Sequence, residues 1–311
     1  MANHLRAPFY YFGGKSRAAS QVWEALGNPD HYIEPFCGSA AVLLARPDKD
    51  RLETINDADG MVANFWRAAR LKPEEVAHHL DYPISEVDLH SRHQWLIDNR
   101  EKVVEKLLAD PEWCDAKVAG WWCWGQNSWI GSGWMSKPSR QIPSLSDLGR
   151  GTVGRDPEGQ IEHIVALSRR LSRVRICCGD WKRVCGSRTT LFPTDHALHG
   201  NSITGIFLDP PYVSGNQQYA MGGTGTNISA LVRDWCIENG TNPRLRIVLA
   251  GLPEEHSEIE KHGWSLHHWK AKGGYANQSE HAPGEGGRLE SLWFSPHCVH
   301  NQSNVLDMFV L

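Results

Sequence analysis

The segment HYIEPFCGSAAVLLARPDKDRLETIND, residues 31–57, decides the fold class. His31-Tyr32-Ile33-Glu34-Pro35 reads as the end of a strand, and it runs into Phe36-Cys37-Gly38-Ser39-Ala40-Ala41, small residues that open a helix through Leu44. A second short strand, Leu52-Glu53-Thr54-Ile55, stops at Asn56-Asp57. Strand, Gly turn, helix, strand and acid, in that order, make the front half of a nucleotide-binding unit.

Outward from this unit the pattern changes and then returns. From Asp59 the composition turns helical over 61–70, 73–80 and 90–108, the last carrying Trp95, Ile97, Val103, Val104, Leu107 and Leu108 on an amphipathic face. A Gly-, Ser- and Pro-rich stretch, 125–159, reads as loop. Residues 58–157 therefore form an insertion between two catalytic parts, 1–57 and 158–311. The alternation resumes with a basic helix at 161–171 and strands at 173–178, 203–208, 244–250, 266–269 and 289–294, with helices at 228–238 and 254–261 between them. Strands separated by helices imply an α/β fold with a mostly parallel sheet covered on both faces.

The composition, 41% hydrophobic and 22% charged over 311 residues, is that of a globular protein and excludes a disordered or fibrous chain. No stretch approaches the roughly 18 apolar residues of a membrane helix. The N-terminus, MANHLRAPFYYFGGKS, lacks the apolar core of a secretion signal, so a cytoplasmic protein without membrane contact is expected. Eight cysteines without a CxxC pair read as reduced thiols, neither disulfides nor zinc ligands, and no metal is expected.

Net charge is −4, yet residues 121–188 hold eleven Lys or Arg against five acids. Such asymmetry suggests a face for a polyanion, with a solvated helix face as the equal alternative. Five tryptophans (Trp121, Trp122, Trp124, Trp129, Trp134) fall within fourteen residues, beside Gly, Ser and Asn, and read poorly as plain core.

The chemistry concentrates in Ile206-Phe207-Leu208-Asp209-Pro210-Pro211-Tyr212. An apolar strand delivers an acid, two prolines and an aromatic to its carboxyl end, where open α/β sheets place their sites. Consecutive prolines hold the backbone extended and remove two N–H donors, so carbonyl oxygens near Pro210 face a cleft unopposed. These atoms suit the exocyclic amine of a flat heterocycle, adenine or cytosine, whose lone pair is conjugated into the ring. Asp209 and the Pro210 carbonyl, each accepting one N–H, draw the nitrogen toward tetrahedral geometry and free its lone pair for an electrophile. Tyr212 stacks on the ring.

Taken together, PFYYFGGKS (8–16), YIEPFCGSAAVLL (32–44), IND (55–57), CGDW (178–181) and LDPPY (208–212), with a helical insertion between the third and fourth, resemble the Dam-type adenine-N6 DNA methyltransferases, including those of phages. RLESLWFSP (288–296) resembles that family's closing strand. The resemblance implies a Rossmann-like, S-adenosylmethionine-dependent catalytic sheet with a helical target-recognition insertion. It further implies double-stranded DNA as partner, a bacterial or phage-infected bacterial cytoplasm, a restriction endonuclease as counterpart in some systems, and no obligate protein partner. Asp209, Pro210, Pro211 and Tyr212 take the catalytic positions.

The same resemblance places the cofactor against Tyr11, Lys15, Glu34, Phe36, Gly38, Asp57, Asp180, Trp181 and Asp209. Gly38 permits close backbone approach and the following helix N-terminus attracts the methionine carboxylate. Family members usually carry another Gly where Ala40 stands. Asp57 accepts the ribose hydroxyls, Asp180 and Trp181 hold the cofactor's adenine, and Glu34 either fixes the Gly turn or lies near the methionine amine. Lys15 bridges the cofactor side and the DNA backbone. A phosphate-loop reading of Gly14-Lys15-Ser16 fails, because that motif needs Gly where Phe9 stands.

Within the insertion, GQNSWIGSGW (125–134) loosely resembles the family's recognition region. Gln126, Asn127, Lys137 and Arg140 are candidates for base contact, and Arg169 and Arg173 for phosphate contact. The Gly-rich stretch 213–227 reads as a lid over an extruded base, with Tyr219 against that base. The expected activity is site-specific adenine-N6 methylation of DNA. The alternatives are cytosine-N4 methylation and a non-catalytic DNA-binding module of the same fold.

Overall fold

The computed structural model describes residues 5–11, 15–48, 51–129, 134–135, 142–144, 156–190, 202–211, 228–269 and 290–299. The first half runs α1 (Ala19–Leu26), β1 (His31–Glu34), α2 (Ala41–Leu44), β2 (Leu52–Asp57), α3 (Gly60–Leu71), α4 (Pro73–His78), α5 (Glu86–Ala109) and α6 (Ala116–Ser128). The second half runs α7 (Pro157–Arg170), β3 (Val174–Cys178), α8 (Lys182–Cys185), α9 (Ser187–Thr190), β4 (Thr204–Leu208), α10 (Ile228–Asn239), β5 (Leu245–Gly251), α11 (Pro253–His256), β6 (Ser265–Trp269) and β7 (Glu290–Phe294).

Seven strands form one sheet in the order β3-β2-β1-β4-β5-β7-β6. The first five are parallel, while β7 runs antiparallel between β5 and β6. Parallel strands are buried on both faces, and β1 and β4 are buried at every residue. Side-chain alternation then splits the interior in two. Tyr32, Phe207, Val248 and Leu292 point into one core, and their neighbours Ile33, Ile206, Ile247 and Trp293 into the other. The strand order reverses between β1 and β4, and the crevice at their carboxyl ends is the place such a sheet offers a ligand.

Helices α3 to α7 cover the first face, and their apolar residues belong to the same core as the strands. Capping sets their starts. Asp59, Asp115 and Asp156 accept backbone N–H groups of the first turns of α3, α6 and α7. Asn64 of α3 exchanges two hydrogen bonds with the Asp115 backbone, at 2.9 and 3.0 Å, and so locks α6 to α3. Phe9 inserts between Phe65 and Trp122, with ring centroids 5.0 and 4.8 Å away.

Three expectations need correction here. Residues 125–128 are the last turn of α6 rather than loop. Two glycines hide this helix from a sequence reading, and packing explains both: a Cβ at Gly120 would strike His79, and one at Gly125 would strike the Trp134 ring. Three of the five clustered tryptophans are core, since Trp122, Trp124 and Trp129 are buried, while Trp121 and Trp134 are half-buried against them. Finally, part of the basic segment's charge is internal. Arg170 is buried against Glu53, which its guanidinium grips with both terminal nitrogens, so it adds nothing to a surface field.

Candidate active site

The carboxyl ends of β1, β2, β3 and β4 supply a continuous rim. Beyond β1 the chain turns at Gly38, whose φ of +43° favours glycine and whose Cβ position is taken by the Tyr11 ring. Asp57 ends β2 and holds this turn, accepting Gly38 N at 3.0 Å and Asp59 N at 2.9 Å. Burial, reinforced by the charge of Asp59, pushes the Asp57 carboxyl up to about 7, against the pull of its backbone donors. Trp66 of α3 donates to the Gly38 carbonyl at 2.9 Å, so the helical layer also braces the turn.

Two residues at the rim lie within the IND and RLESLWFSP motifs but have no role in the sequence reading. Asn56, buried behind Asp57, donates to the Pro35 carbonyl at 2.9 Å and the Gly179 carbonyl at 3.0 Å, tying the loops after β1 and β3 together. Glu290, at the start of β7, lies 3.6 Å from Lys15.

Glu34 is buried, and its Oε2 accepts the Tyr32 hydroxyl at 3.0 Å and Leu43 N at 3.1 Å. It therefore braces the Gly turn from below. Burial raises its pKa to about 8, with the nearby Asp209 and Glu53 charges adding to the effect. The helix after the turn, α2, is a single turn whose Leu43 N–H is already given to Glu34. One N–H of the helix N-terminus expected to attract a carboxylate is thus given to Glu34. Phe36 is half-buried and lies 6.1 Å from the buried Trp181 ring, itself against Trp235. Asp180 is exposed and accepts Lys182 N at 2.8 Å.

At the end of β4, Asp209 and Pro211 are half-buried and Pro210 is buried. Lys15 differs from expectation. It is 3% exposed rather than facing DNA, and its Nζ sits 2.9 Å from Asp209 Oδ2. An ammonium drawn inside must be paired, and the site's carboxylates provide the pairing. Asn127 differs too. It is buried on α6, donates to the carbonyls of Pro8 and Cys123, and accepts Tyr10 N at 3.1 Å. Its amide fastens the N-terminal segment instead of facing a groove.

Gln126 is half-buried on α6, and Arg169 and Arg173 are exposed at the end of α7 and just before β3. Lys137, Arg140, Tyr212, Tyr219 and the stretch 213–227 lie outside the described residues. Among the described residues no helix is long and apolar enough to cross a membrane.

Residues 11–107 match the family model for D12 class N6 adenine-specific DNA methyltransferase, a span running from Tyr11 through the Gly turn and β2 into α5. No curated protein matches the chain. The acid-Pro-Pro sequence at the end of β4 lies outside that match and meets it at the same rim. Over residues 11–107 the chain is thus similar to the D12 class N6 adenine-specific DNA methyltransferases, and its mostly parallel sheet reverses at the rim where that stretch meets the acid-Pro-Pro sequence.

Proposed function

We propose that this chain transfers the methyl group of S-adenosylmethionine to the N6 amine of an adenine extruded from double-stranded DNA, at one recognition sequence. The observation that carries this reading is the placement of Asp209 and Pro210 at the switch point between β4 and β1, with the Asp209 carboxylate tethered to Lys15. S-adenosylmethionine fits the residues present. Tyr11 closes over a Gly38 turn with no room for a Cβ, a carboxylate ends β2, and Phe36 just beyond β1 is half-buried.

When bound, the cofactor supplies a sulfonium-borne methyl group open to in-line displacement. Tyr11, Phe36 and the Gly38 turn would hold it, Asp57 would accept from its ribose, and Asp180 and Trp181 would border its adenine. Asp209 accepts one N–H of the target amine and the Pro210 carbonyl the other, which localises the nitrogen lone pair. Tyr212 stacks on the base. No side chain is required as a nucleophile. Residues 58–157 and the basic surface at Arg169 and Arg173 hold the duplex, and Gln126, Lys137 and Arg140 are the candidates for base contact.

The test is sequencing with modified-base detection on plasmid DNA from cells expressing the protein. N6-methyladenine confined to one sequence context is expected. Asp209→Ala should leave cofactor binding largely intact, because the carboxylate acts on the amine, and lose about 10²-fold or more in transfer rate. Near-normal turnover in that variant would sink the mechanism.

A further inference from the structure

Three side chains from distant parts of the chain converge at the mouth of β4. Lys15 Nζ lies 2.9 Å from Asp209 Oδ2 and 3.6 Å from Glu290 Oε2. The lysine side chain is 2% exposed, that of Asp209 19% and that of Glu290 17%. Glu290 opens β7, and because β7 is antiparallel its start falls at the sheet edge where the parallel strands end. The next residue, Ser291, pairs with Gly251 at the end of β5.

One carboxylate would balance the buried ammonium. A second changes the mechanics. A lysine stem is flexible, and an ammonium with a single partner moves with that partner. Held from a second strand, it becomes a fixed strut against Asp209. We propose that Glu290 is a positioning residue for methyl transfer: acting through Lys15, it sets the direction in which the Asp209 carboxylate meets the adenine amine. The proposal rests on the reading of Asp209 given above. Direction matters because a misplacement of about 1 Å in a reacting assembly costs on the order of 10²-fold in rate.

The test uses the full chain, measuring single-turnover methyl transfer to adenine N6 in duplex DNA. Wild type is compared with Glu290→Gln, Glu290→Asp, Lys15→Met, Asp209→Asn and the Glu290→Gln/Lys15→Met double variant, each checked by thermal melting. Glu290→Gln should lose roughly 10- to 100-fold in transfer rate, the usual effect of removing a supporting partner. Its apparent KM for S-adenosylmethionine should stay within about twofold, since binding is not what was removed. Glu290→Asp keeps the charge and should recover part of the rate. Over Lys15→Met, Glu290→Gln should cost nothing more, the mark of a residue acting through another.

A wild-type rate in Glu290→Gln overturns the proposal, and so do losses that multiply in the double variant. If Glu290→Gln does not fold, Glu290→Asp alone and over Lys15→Met decides by the same two criteria. Failure of the underlying reading looks different. In that case wild-type protein leaves no N6-methyladenine, or Asp209→Asn keeps its rate, whereas a failed Glu290 test leaves Asp209→Asn inactive.

Discussion

At the residue scale, Ala40 shows how a side chain is absorbed at a position that favours glycine. It sits in the left-handed region, φ 50° and ψ 34°, where an L side chain costs about 1–2 kcal/mol. Its Cβ is wholly buried, and a buried methyl contributes about 0.8 kcal/mol. A glycine here would also cost roughly 0.5–1 kcal/mol of chain entropy. These terms nearly cancel, so Ala40→Gly should change unfolding free energy by less than about 1 kcal/mol in urea titration. A larger gain would mean that the αL strain is not offset by packing. Glu34 shows the same kind of local accounting, its Oε2 serving both the Tyr32 hydroxyl and Leu43 N.

At the element scale, α6 and α7 each turn inward a polar residue that their sequences suggest for DNA. Asn127 on α6 fastens Pro8 and Tyr10, so Asn127→Ala should leave buried backbone groups unpaired and cost about 1–3 kcal/mol per group. The melting temperature should fall while the methylated sequence stays the same, and a changed methylome would return Asn127 to the recognition surface. On α7 and β3 the exposed charges divide from the buried one. Arg169 and Arg173 face solvent, whereas Arg170 is bound to Glu53. Neutralising Arg169 and Arg173 should weaken binding to all DNA and lower the log-log salt slope by about 0.9 per lost phosphate contact. Filter binding at several salt concentrations measures this, and an unchanged slope would place the phosphate contacts elsewhere.

At the scale of the whole molecule, four groups of the described residues contribute a pH dependence. Glu34 and Asp57 are raised by burial to about 8 and about 7, so the stability they contribute is fully present below their unfolded values near 4 and is lost as pH rises through 7 and 8. His31 and His256 are lowered to about 4, chiefly by burial, so theirs is present above 6.5 and lost as pH falls through 4. Of these four, the carboxylates are the ones that change between pH 6.5 and 8. Unfolding free energy should therefore fall over that window, by roughly 1 kcal/mol per pH unit for each group still protonated only when folded. Glu34→Gln keeps an acceptor for Tyr32 and Leu43 and should flatten the upper part of the decline in denaturation at stepped pH. An unaltered slope in that variant would assign the effect to other groups.

The sheet, its mostly parallel sense and the position of the acid-Pro-Pro sequence at a strand end were legible in the chain, because hydrophobic period and turn residues are local properties that survive without knowledge of neighbours. So was the Gly38 turn, since a left-handed backbone position writes itself as glycine. What a side chain faces is a different kind of fact. Lys15 follows two glycines and looks like a surface residue, yet strands β4 and β7 bring Asp209 and Glu290 to it from the other end of the chain. Asn127, Arg170 and the tryptophans of α6 are polar or aromatic residues whose partners lie on other elements, so nothing in their own neighbourhood says whether they meet water, DNA or core. Burial is decided by the layer that covers a residue, and that layer exists only once the helices have packed on the sheet.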